Sequence, residues 1–265
     1  MGERQGAIHA IGPNWVWCIP LLPLALTAAI NAGGFQTATF LFINTFTQYV
    51  PDTIWAWLTF LGNGWGIFAI CFPLLLFAPR LLTAGIIAGV FSAITSVILK
   101  STFDSPRPAS ILSEGSFYRI GEPLLLKAFP SGHTLTAFAI ATALYFSCAK
   151  ESRRPMLLVF FMATLVGLSR IGVGAHWLID VLGGMACGLW CGMLGALLVQ
   201  FIPKNQLTPT KIWSRIIALG GVFAMYSLLT QTMDLILNLP LQYASAFLIA
   251  ITLALFTKNQ FIKSE

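Results

Sequence analysis

The chain has 265 residues, of which 57% are apolar and only 9% carry a charged side chain. Soluble proteins usually contain about 25% charged residues, so this composition excludes an ordinary soluble domain and indicates an integral membrane protein. The formal net charge of +6 could suggest an anionic partner, but in a membrane protein the placement of Lys and Arg matters more than their total. No nucleic-acid partner is expected. The five cysteines form no CxxC pair, so they indicate neither a zinc site nor a disulfide framework.

The uncharged runs predict an all-α, polytopic membrane helix bundle that forms a single integral membrane domain over residues 1–265. A spanning helix needs about 20 apolar residues, and lipid offers no partner for an unpaired backbone amide. Residues 35–43 are apolar but too short to cross, which favours an interfacial or re-entrant piece. Eight spans are predicted, at residues 15–32, 53–78, 81–99, 131–148, 155–173, 176–202, 216–232 and 240–257. The first resembles a signal peptide in position, but its length suits a retained span.

The positions of the Lys and Arg residues predict the orientation of the bundle. An N-terminus inside the cell places most of them on the cytoplasmic side, as the positive-inside rule requires. Both termini are therefore predicted to be cytoplasmic. The cations left on the outer side are Lys100, Arg107, Arg119, Lys127 and Arg170.

Residues 169–180 place ionisable side chains in an otherwise apolar part of the chain. Arg170, His176 and Asp180 lie there, and ionisable groups at membrane depth are expensive enough to indicate a functional site. His176 and Asp180 are four residues apart, which places them on one face of a helix. The carboxylate can then accept the proton of one ring nitrogen and leave the other nitrogen free for chemistry.

Two further polar pieces are predicted to lie at the same outer face, because each begins or ends a helix there. One is the segment 100–108, which contains Lys100 and Arg107, and the other is the segment 130–133 at the start of the fourth span. With Arg170 these segments supply three cations, and an arginine cannot lose its charge.

Ser131 is predicted to cap the fourth span, which would direct the free amides of Gly132 and His133 toward an anion. Three cations and the positive end of a helix dipole together describe a phosphate site. A metal centre built from His133, His176 and Asp180 is the alternative. It is disfavoured because the neighbouring cations would repel a divalent ion and no further carboxylate is available nearby.

The two histidines suggest the reaction. Cleavage of a phosphate ester needs a nucleophile, stabilisation of the equatorial oxygens and a proton for the leaving oxygen. His176, polarised by Asp180, would attack phosphorus and form a phosphohistidine. The three cations and the amides would hold the oxygens, and His133 would protonate the leaving alcohol.

Structural readings of single residues stay open at this point. Lys100 could be an anchor at a helix end, and Asp180 could merely pair with Arg170. Asp234, near the outer end of the seventh span, is interpreted as an interfacial residue and not as a catalytic one.

The sequence resembles the type 2 phosphatidic acid phosphatase family in three linked motifs, which are Lys100-x6-Arg107-Pro108, Pro130-Ser131-Gly132-His133 and Ser169-Arg170-x5-His176-x3-Asp180. The superfamily also includes vanadium-dependent haloperoxidases and bacterial acid phosphatases. The resemblance extends over about residues 53–201 and implies a six-helix core and metal-independent phosphatase chemistry without a cofactor. It also implies the same roles for the two histidines. The last two spans, a hairpin at about residues 216–257, lie outside that core and receive no role.

The expected protein is therefore a lipid phosphatase of the bacterial inner (cytoplasmic) membrane with its site at the outer face. Undecaprenyl diphosphate is the first choice of substrate, on family prevalence in bacteria alone. Phosphatidic acid, phosphatidylglycerol phosphate and lipid A are the alternatives. A lipid-to-lipid phosphotransferase would use the same residues. A transporter is disfavoured because the polar residues cluster at one depth. A vanadate-bound peroxidase is disfavoured because the pocket suits a lipid headgroup. The sequence leaves the oligomeric state open.

Overall fold

The computed structural model describes residues 11–208 and 210–262, and this part of the chain is helical with no β-strand. Its helices of eight or more residues are α1 (Leu21–Ala32), α2 (Gln36–Thr47), α3 (Asp52–Phe60), α4 (Gly64–Cys71), α5 (Pro79–Phe103), α6 (Gly132–Ser147), α7 (Arg153–Gly172), α8 (Leu178–Leu198), α9 (Ile212–Thr230) and α10 (Leu239–Ile262). Short helical turns join or extend them at Asn14–Cys18, Leu74–Phe77, Pro108–Ile111, Lys150–Ser152, Val199–Phe201, Lys204–Leu207 and Ile236–Asn238. The predicted all-α membrane bundle is confirmed.

The number of spans differs from the predicted eight. Within the described residues, six segments are long and apolar enough to cross a membrane: Asn14–Ala32, Pro79–Ile111, Lys150–Gly172, Leu178–Phe201, Asn205–Thr230 and Ile236–Asn259. Helices α3 and α4 are bent by 73° and give a seventh if the pair is one span. Helix α6 has 16 residues, which at about 1.5 Å per residue falls short of a hydrocarbon core about 30 Å thick. Each predicted span contains helix, but a count of eight is not confirmed.

The break between α3 and α4 has a local cause. The Asn63 side chain accepts from the backbone amide of Trp65 at 3.0 Å and so begins α4 as a new helix. A Cβ atom on Gly62 would lie 2.9 Å from the Cβ of His133, so only glycine fits there. The break therefore brings the chain directly against the start of α6.

Helices α6 and α8 pack closely because α8 carries small residues at intervals of four. A Cβ atom on Gly184 would lie 2.6 Å from the carbonyl oxygen of Ser131, and one on Gly188 would lie 2.5 Å from that of Leu135. Small residues at such spacing let two membrane helices approach through their backbones. The Ser131 amide donates to the carbonyl of Asp180 at 2.9 Å, so the starts of α6 and α8 lie side by side.

The C-terminal hairpin of α9 and α10 packs against the broken helix. One apolar cluster joins Phe72, just after α4, to Ile217 and Leu228 of α9 and Ile249 of α10. All four are at most 5% exposed. The turn between α9 and α10 consequently lies at the same end of the bundle as the start of α6, which we call the site end.

Candidate active site

His176 and Asp180 form a buried pair at the site end. His176 Nδ1 lies 3.3 Å from the Asp180 carboxylate, and both residues are 1% exposed. The same carboxylate oxygen accepts from the backbone amide of Trp177 at 2.9 Å. His176 precedes α8, which begins at Leu178, so the pair does not share a helix face as the spacing suggested. The contact instead spans the first turn of α8.

Arg107 contacts the other nitrogen of this histidine. Its Nη1 lies 3.2 Å from His176 Nε2 and donates to the carbonyl of Ala175 at 3.0 Å. Its Nε donates to the carbonyl of Leu126 at 2.7 Å. A guanidinium only donates, so Nε2 of His176 must accept and Nδ1 must carry the proton that faces Asp180. The lone pair of the imidazole therefore lies on the side of Arg107.

The charge state of His176 follows from its surroundings. Burial first, and then the charges of Arg107, Arg170 and Lys100, hold the pKa of His176 well below its ordinary value of 6.5. A cationic ring next to three cations would be unfavourable. The ring is therefore neutral near pH 7, as a nucleophile must be.

The three predicted cations lie around one space. Lys100 is in the last turn of α5, and a Cβ atom on Gly132 would lie 3.8 Å from its Nζ. Arg170 is in the last turn of α7 and is 5% exposed. Its Nη1 donates to the hydroxyl of Thr59 at 3.2 Å. Arg107 contacts the histidine itself, so the charges expected from the three motifs come together.

The start of α6 differs from the prediction in one detail. Ser131 occupies the N-cap position, but its side chain caps no backbone amide. Its hydroxyl instead accepts from the hydroxyl of Thr134 at 2.9 Å. The predicted N-cap position of Ser131 is therefore confirmed, but without a capping bond from its side chain. The first amides of a helix have no acceptor within that helix, so those of Gly132 and His133 can still face an anion.

The structure adds one residue that sequence reasoning set aside. Asp234, in the turn between α9 and α10, has Oδ1 3.1 Å from Nε2 of His133, and the two side chains are 21% and 19% exposed. Asp234 lies between two candidate spans, which agrees with an interfacial position, but its contact with His133 was not predicted. A signal was available: Asp234 is the only charged residue among residues 216–257, and such residues indicate function.

The long segment between α5 and α6 is folded over the site. The Arg107 amide donates to the carbonyl of Leu125 at 2.8 Å, which pairs the two ends of the segment. Its middle is held by Asn44 of α2. The Asn44 side chain donates to the carbonyls of Tyr118 at 2.9 Å and Ile171 at 3.0 Å, and it accepts from the Tyr118 amide at 2.7 Å. The short helix α2 therefore clamps this segment to the end of α7.

Two cavities adjoin the site. One, of about 470 Å³, is lined by Arg170, Gly174 and Asp234 at the site end. The other, of about 520 Å³, lies between α4, α5 and α6 and is lined almost wholly by apolar side chains. Asn63 and Thr136 line it near the site end. Among the described residues, no group of three or more His, Cys, Asp or Glu side chains is arranged to hold a metal ion.

Comparison with known protein families gives a match to the PAP2 superfamily model over residues 80–206. That range contains all three motifs. Among curated relatives, glucose-6-phosphatase 3 of Mus musculus is 29% identical over 208 residues, covering 69% of this chain and 58% of that protein. Lipid A 1-phosphatase of Rhizobium johnstonii is 35% identical over 114 residues, covering 41% of this chain and 43% of that protein. The chain thus spans about half the length of these relatives.

One solved structure is matched over most of its own length. The crystal structure of Aquifex aeolicus LpxE has a TM-score of 0.53 and 28% sequence identity, and the match covers 61% of this chain and 94% of that one. The shared part therefore includes nearly the whole of the solved protein.

Proposed function

We propose, from the match of residues 80–206 to the PAP2 superfamily model, that this chain is a membrane lipid phosphatase that removes a phosphate from a lipid phosphate or diphosphate through a phosphohistidine. The observation that carries this proposal is the buried His176–Asp180 pair at 3.3 Å with Arg107 3.2 Å from its other nitrogen. A neutral imidazole that presents a lone pair beside fixed cations suits attack on a phosphoryl group.

In the first step, Nε2 of His176 attacks phosphorus while the bond to the leaving oxygen breaks. Arg107, which contacts that nitrogen, moves its donors to the equatorial oxygens as they crowd the same space. Arg170, Lys100 and the first amides of α6 hold the remaining negative charge, which is where preorganised donors contribute most. Asp180 stabilises the positive charge that develops on the ring.

His133 supplies the proton for the leaving oxygen in this step. In the second step the neutral His133 accepts a proton from water, which attacks phosphorus and releases inorganic phosphate from His176. Acid and base catalysis by such a side chain contributes about 10²–10⁴-fold to the rate.

The apolar cavity supports a lipid substrate. It extends from Asn63 and Thr136, beside the start of α6, toward Leu82 and Leu144 in the interior of the bundle. A hydrocarbon chain placed there would present its phosphate to the cations at the site end. A water-soluble substrate would not bind to such an apolar surface.

Undecaprenyl diphosphate is the substrate we put forward first, as a lipid phosphate with a single long apolar chain. Lipid A 1-phosphate is the second candidate, because relatives with that named activity match this chain. By the distribution of Lys and Arg we place the site at the outer face of a bacterial inner membrane, with both termini in the cytoplasm.

The test is phosphate release by the purified protein in detergent, with chelator present. The panel is undecaprenyl diphosphate, lipid A, phosphatidylglycerol phosphate and phosphatidic acid, with His176→Ala as the matched control. The proposal expects release from at least one lipid by the wild type and none by the variant. Equal release by both, or none from any lipid, would contradict it.

A further inference from the structure

The turn between α9 and α10 is built to hold Asp234 in one place. The side chain of Gln242, which is fully buried, accepts from the Met233 amide at 3.0 Å. It also donates to the carbonyls of Leu228 at 3.1 Å and Gln231 at 2.7 Å. These bonds satisfy a buried amide that would otherwise be costly inside an apolar hairpin. They tie the end of α9 and the residue before Asp234 to α10.

A second buried amide fixes the same turn. The Asn238 side chain, 0% exposed, donates to the Met233 carbonyl at 3.0 Å. Asp234 itself has φ at +59°, a left-handed conformation that non-glycine residues adopt only where the surroundings require it. The polar groups of this hairpin are therefore directed at the turn that carries the carboxylate.

Asn63 orients the carboxylate from the other side. Its Oδ1 accepts from the Trp65 amide, so its Nδ2 must face away from α4. That Nδ2 donates to Oδ2 of Asp234 at 2.9 Å. With Oδ2 held by Asn63, Oδ1 is directed at Nε2 of His133, 3.1 Å away.

The charges around this contact support an ionised carboxylate. Burial alone would raise the pKa of Asp234, but His133, Arg170 and the hydrogen bond from Asn63 together lower it below its ordinary value. Burial lowers the pKa of His133 below its ordinary value, and the charges of Arg170 and Lys100 lower it further, so protonation of this ring depends on a neighbouring anion. Among the groups that face the ring, Asp234 is therefore the one that favours its protonated form.

We propose that Asp234 is a positioning residue for His133: it holds the ring by Nε2 and stabilises the imidazolium, so that Nδ1 delivers the proton to the leaving oxygen. This inference rests on the proposed function and gives the C-terminal hairpin a role in it. The site then uses two separate histidine–carboxylate pairs. Asp180 serves the nucleophile, and Asp234 serves the acid.

The proton balance is simple. In the first step the Nδ1 proton of the His133 imidazolium passes to the leaving oxygen, as the bond from His176 to phosphorus forms and the bond to that oxygen breaks. In the second step Nδ1 takes a proton from the attacking water, as the bond from phosphorus to His176 breaks. Asp234 stays ionised throughout, so it exchanges no proton.

The first experiment compares leaving groups. Asp234→Asn keeps the shape of the side chain and removes its charge. The rate on an alkyl lipid phosphate should fall by about 10- to 100-fold, less than the 10²–10⁴-fold of the whole acid. The rate on p-nitrophenyl phosphate, whose leaving group hardly needs a proton, should fall less than about threefold. The basic limb of the alkyl pH–rate profile should also move to lower pH.

Matched variants separate this role from a structural one. Asp234→Glu should recover part of the alkyl rate, and Glu114→Gln, which changes a carboxylate that is 92% exposed, should change neither rate. The double variant His133→Ala/Asp234→Asn should be no slower on the alkyl phosphate than His133→Ala, because the acid is already absent. Equal losses on both substrates in Asp234→Asn, or no loss on either, would overturn the proposal.

A second experiment requires no turnover. NMR of protein with ¹³C-labelled histidine follows the titration of its three imidazole rings. Variants in which one histidine is replaced assign each signal to its residue. The His133 ring should lose its proton at lower pH in Asp234→Asn than in the wild type. An unchanged titration would overturn the pairing even if the enzyme is active. A shifted titration in a protein that releases no phosphate would refute the proposed function alone.

Discussion

Arg107 Nη1 lies 3.2 Å from Nε2 of His176, and Asp180 contacts the other ring nitrogen, Nδ1. The guanidinium can only donate, so this contact fixes the neutral tautomer with its proton on Nδ1. The residue that we propose binds phosphate would also keep the proposed nucleophile unprotonated. Both functions follow from one fixed positive charge.

This relationship predicts the titration of His176. Its pKa is lowered, so the ring stays neutral as the pH falls below 6.5, and the nucleophile remains available in mildly acidic solution. In the ¹³C-histidine spectra, the midpoint for His176 should lie below 6.5. Arg107→Gln removes a neighbouring cation and should move that midpoint to higher pH. A wild-type midpoint at or above 6.5 would contradict the cationic environment.

The same cations predict the response to chelator and to vanadate. Lys100, Arg107 and Arg170 suit an anion and oppose a divalent cation, so phosphate release should continue undiminished in EDTA. Orthovanadate should inhibit, because it mimics pentacoordinate phosphorus at the same oxygens. Loss of activity in EDTA with recovery on adding Mg²⁺ would mean that the site is not the anion site described.

The clamp at Asn44 predicts a loss of both stability and substrate binding. Asn44→Leu leaves the amide and carbonyl of Tyr118 and the carbonyl of Ile171 without their partner. Each buried group left unpaired costs roughly 1–3 kcal/mol. The apparent unfolding temperature in detergent should fall and KM should rise, because the segment over the site is released.

The neighbouring Thr45 provides the control for this variant. Its hydroxyl bonds only within its own helix, to the carbonyl of Leu41 at 2.8 Å. Thr45→Val should therefore leave both the unfolding temperature and KM near wild type. If Asn44→Leu behaves like Thr45→Val, the clamp does not hold the segment.

Much of this fold was predictable, because lipid forces apolar runs into helices. The site residues of the three motifs were predictable because ionisable side chains are conspicuous in such runs. The break at Asn63 was not, since one asparagine in an apolar run does not reveal a bend of 73°. The contact of Asp234 with His133 depends on how a distant hairpin packs against α4, which local sequence does not encode.

The orientation of the bundle stays a prediction and can be tested directly. The positive-inside rule places Arg154 in the cytoplasm and residues 110–125 outside. An alkaline phosphatase reporter should be active when fused within 110–125 and inactive when fused after Arg154. This orientation requires an odd number of membrane spans between the two positions. Equal activity at both would contradict it.

The two histidines are assigned different tasks, which different leaving groups can distinguish. His176→Ala removes the nucleophile, so it should turn over neither alkyl nor aryl phosphate and should form no phosphoenzyme. His133→Ala removes only the proton for the leaving oxygen. It should be severely impaired on an alkyl phosphate and much less impaired on p-nitrophenyl phosphate. Asp180→Asn should fall between them, because the ring remains but loses its orientation and its counter-charge.

The ratio of aryl to alkyl rates in each histidine variant, compared with wild type, tests the central claim most directly. We predict a large rise in this ratio for His133→Ala, and no measurable rate on either substrate for His176→Ala. A ratio that rises in His176→Ala and stays flat in His133→Ala would mean that the two roles are reversed. Equal, modest losses in both variants would contradict the covalent mechanism.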